Sequence, residues 1–182
     1  MKHFILILMV GLLTASCQNN GNQKKEGTAN SSEQAIDAET PQTDLSEITP
    51  YSETEFQEAY PKSINGWPLD QAVKVVKQQA VGEYGDGKLR LNIHDMAGKH
   101  SGYSASTFLT TYNIKVQDDE TTQHIHKERD GIKTIATYNA GKNKSMVSFI
   151  YHTRWFVVLN SNDMNPDELW KTFDRNTLKN FK

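Results

Sequence analysis

The sequence predicts an α+β fold: a single antiparallel β-sheet of about five to six strands, packed by two to three helices. Short stretches of alternating apolar and polar residues run from Gln78 to Leu159, separated by turn signals, which is the pattern of a hairpin followed by a meander. Helix-start signals stand on either side of that region, at Ser52-Glu53-Thr54-Glu55 and at Asn165-Pro166-Asp167-Glu168. Residues 51–182, about 132 in all, are enough for one hydrophobic core.

Ser52 followed three residues later by Glu55 predicts a capping box, and the helix it starts must stop before Pro61. Asn65-Gly66-Trp67-Pro68 reads as a turn that carries an aromatic residue. Residues 69–80 fit two templates: Leu69, Ala72, Val73, Val76 and Ala80 match a helical face, whereas Val73 and Val75 suit a strand. Val81 to Tyr84 and Lys88 to His94 flank Gly85-Asp86-Gly87, a hairpin signal. In the second of these strands Leu89, Leu91 and Ile93 alternate with polar residues, so one face is expected to be buried and the other wet.

Gly98 to Gly102 reads as a loop, and Ser104 is placed to cap a short helix through Tyr112 with Phe108 and Leu109 turned inward. The meander follows. Thr121 to Arg129 turns at Asp130-Gly131 into Ile132 to Tyr138, with Ile132, Thr134, Ala136 and Tyr138 on one side. After a turn at Asn139 to Asn143, Lys144 to Tyr151 and Trp155 to Leu159 are joined by His152-Thr153-Arg154. Asn165 caps the last helix, with Pro166 at its first position and an apolar stripe of Leu169, Trp170, Phe173 and Leu178. No internal repeat is visible.

What precedes this domain decides its location. Lys2 gives a charged start, Phe4 to Leu13 is almost wholly apolar, and Ala15 and Ser16 are small residues before Cys17. That is the layout of an export leader at residues 1–16, and its apolar run is too short for a span of about 20 residues. Thr14-Ala15-Ser16-Cys17 resembles the lipobox of bacterial lipoproteins, although Thr14 stands where leucine is commoner. The resemblance implies a diacylglyceryl group on the Cys17 thiol, cleavage before Cys17 and acylation of the new amine, with no other cofactor. It also implies a protein held in the cell envelope; Gln18 after the cysteine leans towards an outer membrane, facing the periplasm. The order of elements over residues 78–180 is similar to a group of uncharacterised envelope lipoproteins, which implies no activity.

Residues 18–50 are rich in Gln, Asn, Gly, Ser, Thr and Glu, with Ile36, Leu45 and Ile48 as the only large aliphatics. Such a composition cannot offset the entropy of ordering, so residues 17–50 are expected to form a lipidated, disordered tether reaching roughly 30 Å. The formal net charge is −2, and removing Lys2 with the leader makes it −3. Residues 18–50 carry two lysines against six acids, which leaves +1 for residues 51–182. A near-neutral domain gives no electrostatic case for nucleic acid. Cys17 is the only cysteine, so lipidation leaves no thiol for a disulfide or a thiolate metal site.

His124-Ile125-His126-Lys127-Glu128 is the sharpest chemical candidate. On a strand, His124, His126 and Glu128 share a face and present ligand types suited to zinc or copper, while the plainer account is a wet face opposite Ile125. Nothing in the sequence brings His94, Asp95 or His100 beside them, and His152 reads as a surface turn residue. The G-x-S-x-G, G-x-G-x-x-G, P-loop and H-E-x-x-H patterns are absent, and Ser145 and Ser148 read as strand residues. Trp67, Tyr138, Phe149, Tyr151, Trp155 and Phe156 belong mainly in a core, with Trp155 or Phe156 turned outward by alternation. The expected role is a membrane-anchored, non-enzymatic module that binds an envelope protein or a small ligand. Metal binding through His124 and His126 is the alternative, and a hydrolase with scattered residues a further one.

Overall fold

The computed structural model describes residues 44–99 and 105–182. The leader, Cys17, the tether up to residue 43, His100 and the Ser104 cap lie outside the described residues. Nine strands form among the described residues: β1 Ser63–Ile64, β2 Trp67–Pro68, β3 Lys74–Val76, β4 Gln79–Tyr84, β5 Leu89–Asp95, β6 Gln123–Arg129, β7 Ile132–Asn139, β8 Lys144–Tyr151 and β9 Trp155–Ser161. The helices are α1 Glu53–Ala59, α2 Ala105–Asn113 and α3 Pro166–Thr172. The fold is α+β, as the pattern predicted.

β1 and β2 make a small hairpin, and the other seven strands make one antiparallel sheet in the order β3-β4-β5-β9-β8-β7-β6. The chain builds β3 to β5, crosses the sheet by way of α2 to the far edge, and then returns strand by strand until β9 pairs with β5. That last pairing joins residues as far apart as Arg90 and Asn160. It closes the fold, because it is the one ladder between the two meanders among the described residues.

One open choice is decided and three expectations are revised, each for a physical reason. Within residues 69–80, which fitted either a helix or a strand, only Lys74–Val76 and Gln79 onward are strand: β3 pairs with β4 across a two-residue turn in which Lys77 takes a φ of 55°, so Val75 lies opposite Ala80. This adds a strand at the edge and brings the main sheet to seven rather than five or six. The final helix ends at Thr172, where the Phe173 N–H still reaches the Leu169 carbonyl, and Leu178 sits in a separate 3-10 turn over Arg175–Leu178. The packed region also starts before Tyr51, since the Gly98 N–H donates to the Leu45 carbonyl at 2.7 Å.

The capping reading holds at both ends. Ser52 and Glu55 bond reciprocally at the start of α1, and Asn165 and Glu168 do the same at the start of α3. Each cap satisfies helix N–H groups that would otherwise lack partners. The Asp130-Gly131 turn has φ values of 50° and 79°, the primed geometry that matches strand twist.

One face of the sheet is fully roofed. Leu91, Leu159, Val147 and Ala136 form a row across four strands, with Ile93, Val157, Phe149 and Thr134 beside it. Over them lie Phe56 from α1 and Tyr60 just after it, Leu169 and Trp170 from α3, then Phe173, Leu178 and Phe181. Burying each such side chain stabilises the fold by about 1.5–3 kcal/mol. Gly82 belongs to this face because a Cβ there would stand 2.6 Å from Leu69 Cδ1 and 2.7 Å from Tyr60 Cε1.

Candidate functional site

The opposite face is covered only in part. α2 lays Ala105 and Phe108 against Met96, Ile135 and Ile150, with Leu45, Leu109, Tyr112 and Phe156 packed around them. Between Trp155 and Phe156, alternation sends Phe156 to this side, where it is half-buried, while Trp155 is completely enclosed on the roofed side. Beyond α2 the cross-strand rows continue without a helix from the described residues over them. One row runs Val81, Asn92, Val158, Ser148, Ile135, His126, with only its Ile135 and His126 end under α2, and the next runs Arg90, Asn160, Met146, Thr137, His124. Val81, Asn92, Val158, Asn160, Met146, Thr137 and His124 are all half-buried. The Asn92 Oδ1 atom is buried yet has no hydrogen-bond partner among the described residues.

β6 places its ligand-type side chains on this face. The His124 N–H donates to Asp118 Oδ1 at 2.6 Å, so this backbone group points off the sheet edge, away from β7. The His126 ring stacks on Tyr112, with centroids 5.8 Å apart and planes 18° off parallel, and its Nδ1 lies 2.8 Å from the Tyr112 carbonyl. A carbonyl oxygen only accepts, so the hydrogen bond puts the proton on Nδ1. His126 Nε2 is buried with no partner among the described residues. Glu128 is exposed and lies across from Lys133. No group of three or more His, Cys, Asp or Glu side chains among the described residues is placed to hold a metal ion.

Neither of the other two histidines among the described residues joins this pair. His94 is on β5, four strand spacings from β6 and therefore about 19 Å away at roughly 4.8 Å per spacing. His152 is exposed in the β8–β9 turn with a φ of 48°, its ring against Tyr151. Ser148 Oγ donates to the Ile135 carbonyl, and buried Ser145 Oγ has no partner among the described residues, so neither hydroxyl is bonded to a histidine.

Asp95 turns out to be a structural lock. Its carboxylate is completely buried and accepts from the Tyr51 N–H at 2.9 Å, the Ala97 N–H at 3.0 Å, and Arg154 Nε and Nη2 at 2.8 and 2.7 Å. The Arg154 guanidinium lies 4.9 Å from the Tyr51 ring and 4.6 Å from the Trp155 ring, and donates to the Thr49 carbonyl. Its hydrogen bonds to Asp95 hold it more firmly protonated than an ordinary arginine. The lock fastens the chain before α1 to the end of the sheet where β5 stops and β9 begins. A second cluster ties the β6–β7 turn to α3: buried Arg129 and Lys127 both bond Asp167, and Trp170 Nε1 donates to Asp130. The buried phenols of Tyr60 and Tyr84 donate to the Leu91 and Pro61 carbonyls, and burial pushes both well above the usual range.

Sequence reasoning missed this lock and the Tyr112–His126 contact. Asp95 and Arg154 are 59 positions apart, and the only trace of their pairing is an acid and a base at the ends of two apolar strands. No helix among the described residues is long and apolar enough to cross a membrane. Comparison with known protein families, with curated proteins and with solved structures finds nothing that matches this chain.

Proposed function

We propose that the chain is a lipid-anchored, non-enzymatic binding module of the cell envelope, which holds a small ligand or an envelope protein on the half-covered face of its sheet. The observation that carries this reading is the pair of rows beyond α2, where aliphatic Val81, Val158 and Met146 stand among Asn92, Asn160 and Thr137 with no helix from the described residues above them. A surface that mixes apolar area with amides and a hydroxyl suits ligand binding, because the apolar groups supply affinity and the polar ones orientation. Asn92 Oδ1 supports it further, since a buried acceptor left unpaired is costly and a ligand N–H or O–H would relieve it. The leader and lipobox support the placement: a thiol-linked lipid at Cys17, followed by a polar tether, would hold the domain at an outer membrane within reach of periplasmic partners.

The test uses the mature chain isolated from membranes, with a photo-crosslinking residue at Val158 or, as a control, at exposed Thr54 on α1. Mass spectrometry should find Cys17 as the first residue, bearing diacylglyceryl and acyl groups. A discrete adduct should form from position 158 and not from 54. An unmodified Cys17 would remove the anchor, and equal or absent adducts at the two positions would remove the binding face.

A further inference from the structure

We infer that His126 and His124 form a two-imidazole site for a late first-row transition ion, Zn2+ or Cu2+, on the same half-covered face. This rests on the reading of that face as the binding surface and gives it a ligand class. The imidazoles are two residues apart on β6, so they project from one side of the strand, about 7 Å apart at the backbone. His126 is already oriented as a metal ligand. Its Nδ1–H is committed to the Tyr112 carbonyl, its ring is stacked on the Tyr112 ring, and its Nε2 has no hydrogen-bond partner among the described residues. A ring whose second nitrogen donates to a backbone carbonyl is the usual support for a ligating histidine, because it fixes tautomer and orientation.

Binding at Nε2 leaves the Nδ1 hydrogen bond in place; the ion gains one imidazole nitrogen at His126 and a second when the His124 ring turns towards it. Imidazole nitrogen suits both zinc and copper. With no third His, Cys, Asp or Glu converging among the described residues, the other coordination positions are left to water or to a ligand carried on the face. That distinguishes this arrangement from a closed structural site, which surrounds its ion with four protein ligands.

The experiment is titration of the whole chain in detergent with Zn2+ and, separately, Cu2+, followed by calorimetry and by long-range 1H–15N spectra of the histidine rings. One equivalent of at least one ion should bind, the His126 Nε2 resonance of the unmutated protein should shift while Nδ1 stays protonated, and His124→Ala or His126→Ala should each weaken binding at least about tenfold. Glu128→Gln should change it by less than about threefold, since that carboxylate is not gathered into the site. Absence of a one-equivalent site, an unmoved Nε2 resonance, or undiminished affinity in either alanine variant overturns the proposal. Val81→Arg, with the crosslinking residue kept at position 158, separates the two readings: it should abolish a partner adduct on the face while leaving metal uptake at β6, five strands away, in place, and loss of uptake in that variant with its fold retained overturns the β6 site.

Discussion

The same strands build both faces of the sheet, yet the faces differ in what lies over them. On the roofed side Leu91, Val157, Phe149 and Leu159 are completely enclosed beneath α1, α3 and the C-terminal residues. On the other side their immediate chain neighbours Asn92, Val158 and Asn160 keep part of their surface, because α2 reaches only the end of the sheet near Ile135, Ile150 and Phe156. In β9 the alternation is complete, with Trp155, Val157, Leu159 and Ser161 buried and Phe156, Val158 and Asn160 half-buried. One face therefore carries most of the apolar burial that holds the domain together, and the part of the other that no described helix covers contributes less to it.

Truncating the two faces should separate these roles. Phe149→Ala removes a ring that packs edge-on against Trp170 at 5.3 Å and beside Phe173 at 6.0 Å, and should cost about 4 kcal/mol, the middle of the range for such a core deletion. Val158→Ala, on the half-covered face of the adjacent strand, should cost about 1 kcal/mol or less, since little packing surrounds it. Urea unfolding followed by tryptophan fluorescence measures both. Similar losses at the two positions would mean that something roofs the second face as thoroughly as the first.

The next largest effect lies at the lock. Asp95→Asn keeps an oxygen for Arg154 and for the Tyr51 N–H but leaves the guanidinium without a counter-charge, and about 3 kcal/mol should be lost. Adding Arg154→Met should return part of that loss by removing the unpaired cation. Unfolding midpoints of the two variants decide it, and a double variant no better than Asp95→Asn would show that the guanidinium's contacts with Tyr51 and Trp155 matter more than its charge.

The difference between the faces also marks how far the sequence was legible. Local signals sufficed where neighbours in the chain are neighbours in space: the Ser52 and Asn165 caps, the Asp130-Gly131 hairpin and the enclosed Leu89, Leu91 and Ile93. Residues 69–80 were ambiguous because three paired residues are too few to show a period of two. The β5–β9 pairing was not legible, since alternation says which side a residue faces but not which strand lies beside it. For the same reason the strand pattern put His124 and His126 on one face, while only the return of α2 over the sheet revealed that Tyr112 fixes the His126 ring.

The smallest expected effect tests the roofed side at its margin, where α3 meets the β6–β7 turn. The hydrogen bond from Lys127, then that from Arg129, holds the Asp167 carboxyl below the ordinary aspartate range. A carboxyl whose folded value is depressed adds stability above its unfolded value of about 3.9, and that contribution is lost as pH falls through the folded value. Because the Asp167 side chain is 58% exposed, solvent screens the pair and the contribution should be on the order of 1 kcal/mol or less. Asp167→Asn should therefore be slightly less stable than the unmutated chain at pH 7, with the gap closing as pH drops below about 4. Unfolding midpoints from pH 7 down to pH 2 would show it. A gap that stays constant with pH would rule out the carboxylate charge as its source, and the hydrogen bonds of Arg129 could not supply it either, since an amide oxygen accepts them too.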